Sequence, residues 1–247
     1  MTLASGSRTV GVNGIDVVAF DGDDTLWHSE SHFVDAHARF VALVSPYVDG
    51  DPSVIDERVV ATERANLAIY GYGAKAFTLS LIESAIELTG GRVTSGEISA
   101  ILDVGKRLLD QPVELLDGVN EVVGRLAEDG YRLIVVTKGD LFHQEAKVAG
   151  SGLADRFTRV EIVSEKDVST YRRVVGEAGV APENFLMVGN SVRSDILPVV
   201  ELGGHAAHLP YVYTWELEHV ADADAERMGF HELTSIRQVP ELLARLS

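Results

Sequence analysis

Residues Val17 to Trp27 read VVAFDGDDTLW. Four apolar residues, Val17-Val18-Ala19-Phe20, run straight into Asp21-Gly22-Asp23-Asp24. A short run rich in β-branched residues and stopped by Asp and Gly reads as a strand. Its residues are apolar in succession rather than in alternation, as expected of a strand covered on both faces within a parallel sheet. Comparable runs follow at Leu133–Val136, Val160–Val163 and Phe185–Val188, and one poorer in β-branched residues at Ala206–Leu209.

Helical stripes lie between these runs. Val119, Val122, Val123 and Leu126 recur at helical spacing before Gly130, and Val168, Tyr171, Val174, Val175 and Ala178 before Gly179. Proline is tolerated only in a first helical turn, so Pro198 places the next helix from near Ser194 to before Gly203-Gly204. Ile236, Val239, Leu242, Leu243 and Leu246 form a last stripe. Strands alternating with helices predict an α/β sheet.

One stretch breaks the alternation. Between the first strand and Pro112 lie some 80 residues, far beyond the ~15 that a structureless loop sustains. Stripes at Phe33/Ala36/Phe40/Leu43, Ile55/Val59/Thr62/Ala65, Phe77/Leu81/Ile82/Ala85 and Ile98/Ile101/Leu102/Leu108 predict four helices, punctuated by Gly71, Gly73, Gly90 and Gly91. The expected organisation is an α/β core of residues 1–28 and 111–247 with an all-helical insertion at 29–110.

Composition narrows the function. The 247 residues carry 21 Lys and Arg against 38 Asp and Glu, a formal charge of −17. Such a surface repels phosphate backbones and anionic lipids, so no nucleic-acid or membrane partner is expected. No run approaches the ~18 apolar residues of a membrane span. MTLASGSRTV at the start lacks an apolar run and does not read as a secretory leader. The absence of cysteine removes disulfides, thiolate metal sites and thiol nucleophiles. A cytoplasmic monomer or homodimer is the expectation.

In open parallel sheets, ligands bind beyond the carboxyl ends of the strands. Those ends carry Asp21, Asp23 and Thr25, then Thr137 and Lys138, then Lys166, then Asn190, Ser191 and Asp195. Two carboxylates as close as Asp21 and Asp23 stay charged together only beside a cation, or one of them holds a proton. The oxygen donors of Asp21, Asp23, Asn190 and Asp195 suit a hard ion, Mg²⁺ in particular. A carboxylate can attack phosphorus, and a second can pass a proton to the leaving alkoxide and take one from water. Lys166, Thr137 and backbone N–H groups would offset charge on phosphoryl oxygens.

These residues resemble the motifs of the haloacid dehalogenase superfamily, in its phosphatase branch. FDGDDTLW from Phe20 to Trp27 is similar to its DxDx[TV] motif, LIVVTKGD to the strand ending in Thr137, SEK to the isolated Lys166, and MVGNSVRSD to the final acidic motif. The resemblance implies a Rossmann-like core, Asp21 as nucleophile, Asp23 as general acid/base, and Lys166 and Thr137 at the phosphate; Lys138, which flanks the Thr137 motif, is a further candidate for binding the phosphate. Mg²⁺ would sit on the Asp21 carboxylate, the Asp23 backbone carbonyl and a side chain of the last motif. There Asn190 stands where the family usually has Asp, which leaves Asn190 and Asp195 both open as ligands. The insertion matches the position of a C1-type helical cap. A Mg²⁺-dependent hydrolase of a small phosphorylated metabolite is expected.

Other readings remain open. A 2-haloacid dehalogenase would need neither Mg²⁺ nor an acid at position 23. A phosphomutase would keep Asp23, and a phosphonate-cleaving relative would need a cap lysine, of which Lys75 and Lys106 are present. A phosphoacceptor signalling module would also use Asp, Thr and Lys. His28 and His32 read as surface or cap-lining residues, and Trp27, Tyr211, Tyr213 and Trp215 as packing, with Trp27 or Tyr211 as minority candidates for a pocket wall.

Overall fold

The computed structural model describes residues 14–218 and 229–247. The leader reading of the first ten residues falls outside them.

Among the described residues six strands form one sheet: β1 (Val17–Phe20), β2 (Arg132–Lys138), β3 (Arg159–Val163), β4 (Phe185–Gly189), β5 (His205–His208) and β6 (His231–Glu232). Their order is β3-β2-β1-β4-β5-β6, and every neighbouring pair is parallel. The decisive stretch therefore lies at the centre. Val18 and Phe20 point to one face with Leu133, Val135, Leu186 and Val188; Val17 and Ala19 point to the other with Ile134, Val136, Phe185 and Met187. Both faces are apolar because both are covered. On one side lie α5 (Val119–Glu128), α6 (Leu141–Gly150) and α9 (Val239–Arg245), on the other α7 (Val168–Ala178) and α8 (Leu197–Leu202).

The fifth strand starts one residue earlier than expected, and β6 has no counterpart among the expected strands. Two residues at a sheet edge carry no periodic signal. The helix expected from near Ser194 is in fact a wide π turn over Val192–Ile196 followed by α8, with Pro198 in its first turn. Leu197 N–H reaches back to the Val192 carbonyl, a looser closure than an α turn.

The insertion forms four helices, α1 (Glu30–Val44), α2 (Ser53–Tyr70), α3 (Ala74–Leu88) and α4 (Ser95–Leu109). They share a core of their own around Phe40, Ile55, Leu81 and Ile101. Two expected core positions are corrected. Ala65 is exposed, and Asn66 beside it is buried; Leu102 is exposed at 42%, and Val104 packs inward instead. Both expectations fall at the border of a stripe. An α-helix advances 100° per residue, so a shift of one or two positions carries a side chain from the buried face to solvent. No helix among the described residues is long and apolar enough to cross a membrane.

Candidate active site

The carboxyl ends of β1, β2, β3 and β4 converge below the inserted helices α1, α2 and α3, around a cavity of about 360 Å³. Asp21, Asp23, Thr137, Lys138, Lys166, Asn190 and Asp195 all line it, so the residues that the sequence singles out are brought together.

Asp21 is 6% exposed, and its Oδ1 accepts a 2.5 Å bond from Lys166 Nζ. The same ammonium donates to Asp195 Oδ1 at 2.7 Å. Burial alone would strip the proton from Lys166, but the two carboxylates outweigh it and hold its pKa above the usual lysine range. Asp21 feels burial most, which raises it to about 8 against the pull of Lys166, with Asp195 adding to the rise. The trio of two carboxylates and one ammonium is one positive charge short.

Asp195 is fully buried, and its second oxygen accepts the Ser191 N–H at 3.0 Å. The π turn aims it back over β4, where Gly189 makes room. A Cβ on Gly189 would collide with the Asp195 carboxyl group. Both Asp195 oxygens are thus committed within the protein. Asn190 differs. Its amide oxygen position lies 3.0 Å from Asp21 Oδ2 and 3.2 Å from the Asp23 carbonyl. A nitrogen in that place would donate to both. An oxygen there would stand from each of the two at the ~3 Å that separates adjacent ligands of octahedral Mg²⁺. Among the described residues no group of three His, Asp or Glu side chains forms a metal site. A cation here would use one carboxylate, one carbonyl and one amide. The all-oxygen set and the missing positive charge both fit Mg²⁺.

Asp23 sits in a different partnership. Its carboxylate takes Lys147 Nζ at 2.8 and 3.0 Å, Trp27 Nε1 at 2.6 Å and Gln144 Nε2 at 3.2 Å. Burial would raise its pKa, but Lys147 and these donors prevail and keep it below the ordinary value. Gln144 also donates to Thr137 Oγ1 at 2.7 Å and to the Lys138 carbonyl at 2.7 Å. Thr137 is 1% exposed, and among the described residues its hydroxyl hydrogen has no acceptor. Gly22 allows this crowding, because a Cβ there would lie 2.7 Å from the Trp27 ring. Asp24, at a left-handed φ of 62°, turns its carboxylate onto the Ser29 and Glu30 N–H groups and so starts α1.

Lys138 lines the cavity, but its ammonium is held by Glu218 at 2.5 Å and Ser194 Oγ at 2.9 Å, over the Tyr72 ring. His28 and His32 lie outside this cavity, and His28 bonds the Tyr211 hydroxyl at 2.7 Å. Trp215 proves to line the cavity, whereas Trp27 is buried beneath Asp23 and reaches it only through its indole N–H. Gln144 and Lys147 are residues of the site, through their bonds to Asp23, that the sequence reading missed. Their one signal is i, i+3 spacing on the helix that follows β2, which any surface helix can show.

The haloacid dehalogenase-like hydrolase family model matches residues 15–203. A haloacid dehalogenase-like family hydrolase from Xanthomonas campestris is 43% identical, with a TM-score of 0.84 over 95% of this chain and 93% of that one. A predicted phosphoglycolate phosphatase from Haemophilus somnus is 17% identical, with a TM-score of 0.63 over 94% and 99%. A 2-haloacid dehalogenase from Pseudomonas syringae is 21% identical, with a TM-score of 0.61 over 94% and 100%. No curated protein matches the chain. The last two likenesses speak for the fold alone. The family match covers the strands that deliver Asp21, Thr137, Lys166 and Asn190, and with it the reading as a signalling receiver falls away: the chain belongs to the haloacid dehalogenase-like hydrolases.

Proposed function

We propose that this hydrolase is a Mg²⁺-dependent phosphomonoesterase acting on a small phosphorylated metabolite through a phospho-Asp21 intermediate. One observation carries the reading: a second carboxylate, Asp23, stands in the same wall as the buried Asp21, with a free Thr137 hydroxyl hydrogen beside it. A proton carrier next to the nucleophile serves an alkoxide leaving group and has no use where halide departs.

In the first half, an Asp21 carboxylate oxygen attacks phosphorus and the P–O bond to the leaving group breaks. Asp23, which Lys147 holds ionised without substrate, takes up a proton as the phosphoryl group binds and gives it to that alkoxide. In the second half, Asp23 takes a proton from water, whose oxygen attacks phosphorus. The bond from phosphorus to Asp21 then breaks, inorganic phosphate leaves, and both residues are restored. Lys166 holds Asp21 in place and offsets charge on the phosphoryl oxygens. Thr137, whose oxygen is occupied by Gln144, donates its hydrogen to one of them. Asp21, the Asp23 carbonyl and Asn190 would hold Mg²⁺, with Asp195 acting through Lys166 and Ser191. When bound, Mg²⁺ supplies the positive charge that this cluster lacks, so that one anion can approach another.

Helices α1–α4 (within residues 29–110) serve as the cap that roofs the cavity and selects the leaving group. Neither Lys75, paired with Asp140 at 3.0 Å, nor Lys106, paired with Asp103, lines that cavity, so a cap-lysine imine has no support.

The test is release of inorganic phosphate from a monoester panel with Mg²⁺. Activity should vanish with EDTA and in Asp21→Asn, which should also lose the acid-labile phosphoenzyme. Halide release from 2-chloropropionate that ignores EDTA, with no phosphate release, would replace this reading by the dehalogenase one.

A further inference from the structure

The part of the cavity under the inserted helices is built from α1, α2 and α3 and one loop after β5. Its walls are apolar and aromatic, with Phe33 edge-on to Phe77 at 5.2 Å and Tyr72 edge-on to Trp215 at 5.9 Å. Into this setting project two carboxyl side chains, Glu30 and Glu63. Neither has a cationic partner among the described residues. The charges that reach Glu30 are those of Asp24, Glu63 and Asp23, all of its own sign. Glu63 has the Trp215 indole N–H as its one favourable contact. Burial foremost pushes Glu30 up to about 8 and Glu63 to about 7.

A separate residue tells the same story. Asn66, 7% exposed, lines the cavity and gives its Nδ2 hydrogens to Ser80 Oγ at 3.2 Å and Glu83 Oε2 at 2.7 Å. Its Oδ1 receives no hydrogen bond from the described residues. Two carboxyls and an amide oxygen thus offer acceptors to one space. The only Lys or Arg residues among the described lining are Lys138 and Lys166, at the strand ends, and both are already held by carboxylates.

Buried acceptors without donors cost free energy until a ligand supplies the donors. An anionic leaving group would meet repulsion here, and a plain hydrocarbon would leave the acceptors unmet. Aromatic faces beside carboxylates favour a cation. At about 360 Å³ the cavity is at the low end of small-molecule sites, which run from ~300 to ~1,000 Å³, so it suits a small leaving group. We infer that the substrate is a small phosphomonoester whose leaving group carries an ammonium group, seated between Glu30, Glu63 and Asn66. The inference rests on the phosphomonoesterase reading and gives it a substrate class.

The experiment compares ω-aminoalkyl phosphates of two to five carbons with n-alkyl phosphates and ω-carboxyalkyl phosphates of matched length. Charge-assisted hydrogen bonds of this kind are worth about 10- to 100-fold. At the best chain length, kcat/KM should favour the amine over the neutral ester by that factor and over the carboxylate by more. Glu30→Gln and Glu63→Gln should each cut the amine-to-neutral ratio at least about fivefold. Calorimetry on Asp21→Asn, which cannot turn over, should give the same order of affinities. Equal or better use of the neutral or carboxylate esters, or a ratio unmoved in both Gln variants, overturns the inference while leaving the phosphatase intact. Failure on every ester, p-nitrophenyl phosphate included, overturns the phosphatase reading itself.

Discussion

At Asp23 two demands meet. The proposed reaction needs this carboxyl to hold a proton in one half and to remove one in the other, yet Lys147 holds it ionised between strand end and helix. Lys147 and Gln144 are positioning residues that aim Asp23 at the leaving-group oxygen. Their effect should depend on how much help the leaving group needs. Asp23→Asn should slow alkyl phosphate hydrolysis by about 10²–10⁴-fold, the usual range for a lost general acid. It should spare p-nitrophenyl phosphate far more, and it should retain Mg²⁺ affinity by calorimetry, because the backbone carbonyl remains. Lys147→Met should show the same alkyl-over-aryl bias at smaller size, in kcat rather than KM. Equal losses on both esters would mean that Asp23 and Lys147 merely support the fold.

The end of β4 and the turn after it show how an element can be shaped by one side chain. Gly189 closes the strand where Asp195 folds back over it, and no other residue leaves that space. Gly189→Ala should cost about 1–3 kcal/mol, the range for forcing extra volume into a packed interior, and should lower kcat by displacing Lys166 through Asp195. Gly176 offers the control. It lies within α7, and a methyl group added there would meet nothing within 4 Å. Gly176→Ala should therefore stabilise by about 0.5–1 kcal/mol with activity unchanged. Thermal or urea denaturation reads both. The strands were legible in the sequence because burial on both faces leaves unbroken apolar runs. The π turn was not, because Pro198 marks only where an α-helix can begin and says nothing of how the turn before it closes.

Across the whole molecule, Glu30 and Glu63 add to the response of stability to pH, beside Asp21 and Asp24, which burial also raises, and His143, which it lowers. Glu30 and Glu63 have folded pKa values of about 8 and about 7, above the ~4.3 expected of an unfolded glutamate. The folded protein therefore binds more protons than the unfolded one between those limits, and stability falls as pH rises from near 4.5 to 8. The Tm should drop across that range without ligand, and the Glu30→Gln/Glu63→Gln double variant should flatten the slope and melt higher than the parent at pH 8. A slope identical in the two proteins would show that these carboxyls are already solvated.

The order of strands and helices, the inserted helical segment and the four motif positions follow from local pattern. Apolar runs, helical spacing and the Asp, Thr, Lys and Asn at strand ends are properties of neighbours in the chain, so they are visible without coordinates. The partners of those residues are not. Lys147 meets Asp23 across 124 positions, and Lys166 meets Asp21 across 145. The acceptor-lined space around Glu30, Glu63 and Asn66 exists only because three helices and a distant loop close over one sheet edge. Which groups share that space, and which charges go unanswered in it, is decided by packing over distances that no local pattern encodes.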